Sequence, residues 1–286
     1  MSANKNLPVV SLVAGSFAAG IAGAFVYNQY LVRVRQEEGS PSRQQRQRQQ
    51  RHQPPSTDEF PIFNTTEELS TSVLNHLTRV YTTLGSTAFA AALGVLLQRQ
   101  TNFSPQLASL ISLGFALSLA TTKAELYKLL GFGLFNGMGM GQLVGLALKV
   151  NSNLVPVALA STSAVFASFA AAATLSPRRS LLYLYGVLGS ALSVLSITGL
   201  VNVFAQNRFL FNANLYGGLA MFVGYVCADS QMIIERADLG DRDYVSHAWM
   251  LFTDLSGIFT RLLVILIRQQ QEQQDRRRRR GRDEED

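Results

Sequence analysis

The chain has 286 residues, 48% of them hydrophobic and only 15% charged, with a formal net charge of +6. A soluble domain usually carries about 25% charged residues, so an ordinary water-soluble fold is excluded. The charges gather in two tracts, Arg33, Arg35, Arg43, Arg46, Arg48 and Arg51 near the start and Arg276 to Arg280 with Arg282 near the end; the positive excess belongs to tails and loops, which argues against nucleic acid as a partner.

Between these tracts the apolar runs read as an all-α, polytopic membrane helical bundle, with the lipid bilayer as its first partner. Leu7 to Val32 is long enough to span, and Gly15, Gly20 and Gly23 among alanines suit close helix packing. Only Lys5 precedes that run, so residues 1–32 are expected to be an uncleaved transmembrane anchor. Residues 33–69 are rich in Arg, Gln, Ser and Pro and are expected to be a disordered linker. Its basic stretch Arg43 to Arg51 reads either as a patch for anionic headgroups or as a solvated linker.

The core is placed at 70–268. Val80 to Leu97, Leu107 to Thr122 and Leu129 to Val150 are its first three spans. In the third, Gly133, Gly137, Gly141 and Gly145 recur every four residues and give one small face for helix packing. A phosphate loop is rejected there, because no strand precedes it and the pattern is not GxGxxG. Leu154 to Leu175 and Leu181 to Phe204 follow, on either side of Ser176-Pro-Arg-Arg-Ser180. Two last apolar segments, Leu215 to Ile234 and Trp249 to Ile267, flank a charged turn, Glu235 to Asp243, that is expected to stay in water. Residues 269–286 offer no apolar surface and are expected to be a disordered charged tail.

Each of those last two segments contains one carboxylate, Asp229 five residues before its end and Asp254 five residues after its start. In antiparallel neighbours both lie roughly 7–8 Å from the same membrane face. An ionisable residue inside a span marks a functional site with a partner. Two carboxylates in contact share a proton, and with the proton gone they offer hard oxygen ligands to Ca²⁺. The plainer alternative is a pair of aspartates that only accept hydrogen bonds inside the bundle. Arg261, seven residues after Asp254, is a candidate counter-charge on the same helical face, or else an arginine that snorkels to the interface.

Cys227 is the single cysteine, which excludes an intramolecular disulfide framework. His52, His76 and His247 fall in the linker, before the first core span and in the last turn, so no metal site is expected from them. With no Walker loop, nucleophile elbow or Cys/His cluster in the sequence, neither an enzyme nor a cofactor is expected. An intramembrane hydrolase built on the two aspartates would want them deeper in the bilayer.

The motifs carry a resemblance. Asn212-Ala-Asn-Leu-Tyr-Gly-Gly-Leu219, Gly224-Tyr-Val-Cys-Ala-Asp229-Ser-Gln-Met-Ile-Ile-Glu235-Arg-Ala, Gly240-Asp-Arg-Asp-Tyr244 and Leu251-Phe-Thr-Asp254 fall in an order and spacing that resemble the Bax inhibitor-1 family. That family is also called the transmembrane Bax inhibitor motif family. Asn136-Gly-Met-Gly-Met-Gly-Gln142 supports the likeness, which covers about Ser70 to Leu266 and is strongest to the eukaryotic endoplasmic-reticulum member. It implies a seven-segment helical fold with a central last helix. It also implies a multi-pass protein of the endoplasmic reticulum membrane, a pH-sensitive Ca²⁺ leak that suppresses cell death, with Asp229 and Asp254 in the place of the pore aspartates. The N-terminal span and arginine linker are additions to the family pattern. The arginine that some bacterial relatives carry in the second span has no counterpart in Leu107 to Thr122.

The alternative function is a non-conducting membrane regulator that binds cell-death or stress-pathway membrane proteins, its aspartates structural. Topology divides the signals. The positive-inside rule puts Arg33 to Arg51, Lys123 to Lys128 and Arg178-Arg179 in the cytosol. The basic tail then favours a last segment that re-enters and returns, whereas the resemblance favours one that spans.

Overall fold

The computed structural model describes residues 71–176 and 181–283. The expected anchor at 1–32 and linker at 33–69 lie outside the described residues. Within them the chain forms α1 (Thr71–Thr101), α2 (Pro105–Thr121), α3 (Leu126–Val150), α4 (Leu154–Leu175) and α5 (Leu184–Ala205). A short α6 (Arg208–Asn212) and a π-helical turn (Ala213–Gly217) lead into α7 (Gly218–Asp238) and α8 (Tyr244–Asp283). No strand occurs among the described residues.

A helix satisfies its own backbone in hydrocarbon, which is why runs of Leu, Ala, Val and Gly this long become helices. Their hydroxyls are satisfied locally as well. Thr78, Thr82, Ser86, Thr121, Ser190 and Ser193 each donate to the carbonyl four residues back. Among the described residues six helices are long and apolar enough to cross a membrane, and α2, at 17 residues, is a shorter apolar helix. The chain is a multi-pass membrane helical bundle.

α3 packs most extensively on α1 and then on α2. The glycine face expected in the third span makes this contact possible. A Cβ at Gly137 would run into the Ala91 carbonyl, one at Gly133 into Thr87, and one at Gly141 into the Gln98 side chain. Gly94 of α1 answers from the other side, against the Leu134 carbonyl. Gly145 is different, because a Cβ there meets nothing within 4 Å.

α8 is the central helix, in contact with α1, α3, α4 and α7. In both α7 and α8 67% of the apolar window is buried, against 22% in α5 and 28% in α4. Two clusters fill the interior. The larger, with Val80, Phe132, Phe222, Trp249 and Ile258, sits around the α7–α8 turn and the middle of the bundle. The smaller, with Leu143, Leu154, Leu215, Leu263 and Ile267, closes the opposite end.

The end of the chain departs from expectation. α8 runs unbroken for 40 residues, about 60 Å at 1.5 Å per residue, so the last segment does not re-enter and turn back. Residues 269–283, expected to be disordered, continue this helix. Gln, Glu and Arg are good helix formers and propagate a helix already nucleated by the packed turns before them. The turn before α8 and the arginine tail after it consequently lie at opposite ends of the bundle.

Candidate ion and proton site

The site is built on α7, α8 and the tight connection between them. α7 ends in a Schellman arrangement, with Asp241 N donating to Arg236 O at 2.8 Å and Gly240 N to Ala237 O at 3.2 Å. Gly240 takes φ +89°, a left-handed conformation that glycine adopts without a Cβ penalty. Asp243 then caps α8, accepting from Ser246 N at 3.1 Å and Ser246 Oγ at 2.7 Å. So short a connection forces α7 and α8 to run antiparallel side by side.

Asp229 lies nine residues before the end of α7 and Asp254 ten residues after the start of α8. They therefore stand at one level, and their carboxyl groups come within hydrogen-bonding reach of each other. Both are 4% exposed. The level is roughly 14 Å from the helix ends at 1.5 Å per residue, deeper than the sequence implies. The reason is that α7 continues as helix through Asp238 and carries Glu235 and Arg236 into the interior, where Asp241 is buried as well, while Asp238, Leu239, Gly240, Arg242 and Asp243 are exposed. Arg236 Nη1 stands 3.9 Å from Asp241 Oδ2.

Three further groups complete the surroundings. Tyr185 of α5, itself buried, donates its hydroxyl to Asp229 Oδ1. Tyr225, one turn before Asp229 on α7, meets the Tyr185 ring edge-on at 6.2 Å. Arg236 is the cation whose charge acts on Asp229 and on Tyr185. It is seven residues after Asp229, two turns along the same face of α7. Asp254 Oδ2 makes no hydrogen bond among the described residues.

Arg261, the candidate counter-charge, is placed against the aromatic ring of Phe222. It is 1% exposed, and its guanidinium lies over the Phe222 ring at 4.5 Å. Nη1 donates to Gly257 O at 3.2 Å, and the group rests against Gly218, where a Cβ would collide with it. The arginine is buried rather than snorkelling, held by a cation–π contact and its own helix.

Chemically, two carboxyl groups at hydrogen-bonding distance require one proton between them or a cation in its place. Among the described residues no group of three or more His, Cys, Asp or Glu side chains is placed to hold a metal. A dedicated Ca²⁺ cage supplies six to eight oxygens, more than this pair offers by itself.

The family model described as "Inhibitor of apoptosis-promoting Bax1" matches residues 73–272, from the first turn of α1 past the apolar part of α8. The chain belongs to this Bax inhibitor family. It is 36% identical over 206 residues to the protein named Bax inhibitor 1 of Homo sapiens, covering 69% of this chain and 87% of that protein. It is 37% identical over 204 residues to Bax inhibitor 1 of Arabidopsis thaliana, covering 69% and 83%. The Bos taurus protein of the same name is 35% identical over 206 residues. Within this family frame, sequence reasoning had singled out Asp229 and Asp254 and missed Tyr185 and Arg236. Tyr185 carries no local signal at the start of its span. Arg236 borders an apolar run, where the sequence pattern assigns charge to water, yet it is buried.

Proposed function

We propose that the chain forms a pH-sensitive Ca²⁺ leak of the endoplasmic reticulum membrane, with Asp229 and Asp254 as its shared ion and proton site, and that it serves to suppress cell death. The observation that carries the reading is the buried carboxyl pair bridging α7 and the central α8, with Asp254 Oδ2 left without a hydrogen bond among the described residues. The cell-death role is supported by the family description and by the relatives named Bax inhibitor 1.

With one proton present, the pair ties α7 to α8 through a carboxyl–carboxyl hydrogen bond. Loss of that proton leaves two like charges in a low-dielectric interior, which repel and attract a divalent cation. Proton and Ca²⁺ thus compete for one place. Tyr185 orients Asp229 by its donated hydrogen bond, and Arg236 offsets the charge when it develops. Purified protein in Ca²⁺-loaded liposomes tests this: flux that varies with pH supports the leak. Vesicles that stay tight at every pH would leave the other reading, a regulator that acts by binding cell-death or stress-pathway membrane proteins.

A further inference from the structure

We propose that His76 and His247 form a protonation-sensitive clasp between α1 and α8, closed while at least one imidazole is neutral and open when both are charged. The two residues are 171 apart in sequence, yet His76 Nε2 and His247 Nδ1 lie 2.9 Å apart, a hydrogen bond between two buried rings. The rings meet edge-on, centroids 5.1 Å apart at 86°. His76 is 4% exposed and His247 is fully buried.

A bond between two ring nitrogens needs one N–H donor and one lone-pair acceptor. The neutral pair satisfies this, and so does the singly protonated pair, where the bond becomes charge-assisted and stronger. Two imidazolium rings are both donors, so the bond is lost and two like charges face each other where water cannot separate them. The clasp therefore responds to the second proton and not to the first. Arg79 from α1 and Arg242, Asp241 and Asp243 from the connection to α8 are the charged groups that face His76. Arg236 of α7 enters through its pairing with Asp241, and Glu235 is buried beside it in sequence. The two cations and two carboxylates that face His76 oppose one another, leaving the charge of the two rings to decide.

A second contact lies beside the clasp. Arg242 donates to Ser72 O at 3.4 Å and to Ser72 Oγ at 2.5 Å, an exposed contact. Together these ties hold the first turns of α1 to the start of α8. With the histidine bond gone, the first two turns of α1 lose a buried tie to α8 and open locally more often, although Val73 and Leu77 still pack in the core beside Val80 and Leu84.

The chain contains three histidines, so His52→Gln in the full chain leaves only this pair. Nitrogen-15 histidine spectra of that protein in micelles, titrated from pH 8 to pH 4, should show the two rings taking up protons in two linked steps. Amide exchange over residues 71–80 and 241–248, corrected for its intrinsic pH dependence, should rise about tenfold at the second step. In His76→Gln/His247→Gln the rise should vanish, and His76→Gln alone should abolish it too, which guards against a double variant that fails to fold. Rings that titrate independently, or a rise that persists in either variant, would overturn the clasp. Asp229→Asn should leave the result as it is; if it removes the rise, the acid response belongs to the carboxyl pair instead. The readout involves no flux, so it stands whether or not the chain conducts Ca²⁺.

Discussion

The guanidinium of Arg261 lies over the ring of Phe222, 4.5 Å from its centroid, although the residue shares the face of α8 that carries Asp254. Seven residues of separation amount to two turns, about 10.5 Å along the axis, and the guanidinium also donates to the Gly257 carbonyl of its own helix. Arg236 of α7 is a cation whose charge reaches Asp229.

Arg261→Met and Arg236→Met should consequently differ. Methionine keeps much of the volume at 261 and removes a buried charge, so it should change stability by less than about 1.5 kcal/mol. The pH profile of Ca²⁺ flux should be unaltered by Arg261→Met and displaced by Arg236→Met. Flux measured in liposomes against pH checks both, and equal profiles in the two variants would contradict the assignment.

For the pair itself, Asp229→Asn and Asp254→Asn should each alter Ca²⁺ flux and flatten its dependence on pH. The double variant should add little to either single one, a non-additivity of about 1–3 kcal/mol typical of groups in direct contact. A double variant that responds to pH as the parent does would show the aspartates to be structural.

The glycine face offers a test of packing. Gly137→Ala drives a methyl into the Ala91 carbonyl and should destabilise the protein by about 1–3 kcal/mol or more, as overpacking does. Gly145→Ala meets open space and should be neutral or stabilising by up to about 1 kcal/mol, the helix propensity difference. Thermal unfolding of the two variants in detergent separates them.

Much of this architecture was written in the sequence. The order of the spans and the level of Asp229 with Asp254 follow from hydropathy and from counting residues along a helix, whereas the first and last helices, Thr71–Thr101 and Tyr244–Asp283, outrun their apolar cores at Val80 to Leu97 and Trp249 to Ile267. The four-residue period of Gly133, Gly137 and Gly141 puts them on one face, and a Cβ at each would meet α1. Gly145 was not separable from them, because a four-residue period says which residues share a face but not where the neighbouring helix ends its approach. The partner of Asp229 was hidden for a different reason. Tyr185 is one of several tyrosines in apolar runs, and only the packing of α5 against α7 brings its hydroxyl to the carboxylate. Arg236 and Glu235 looked like water-exposed punctuation, since a one-dimensional pattern does not show that a helix continues past its apolar residues into the interior.

Topology yields a prediction independent of orientation. In a Cys227→Ser background, Leu239→Cys in the α7–α8 connection and Gln273→Cys beyond the apolar part of α8 both place the thiol at an exposed position. A membrane-impermeant thiol reagent applied to sealed vesicles should label one and spare the other. Labelling of both from one side would mean that α8 turns back.

Unbroken backbone hydrogen bonding from Tyr244 to Asp283 makes α8 a single stiff rod with no joint along it. About half its length stands clear of the bilayer, given a hydrocarbon thickness of about 30 Å. Torque or tilt applied to that outer half is carried inward to Asp254, and from there to the four helices that α8 touches. The arginine tail is, mechanically, the handle of the shaft on which the site is mounted.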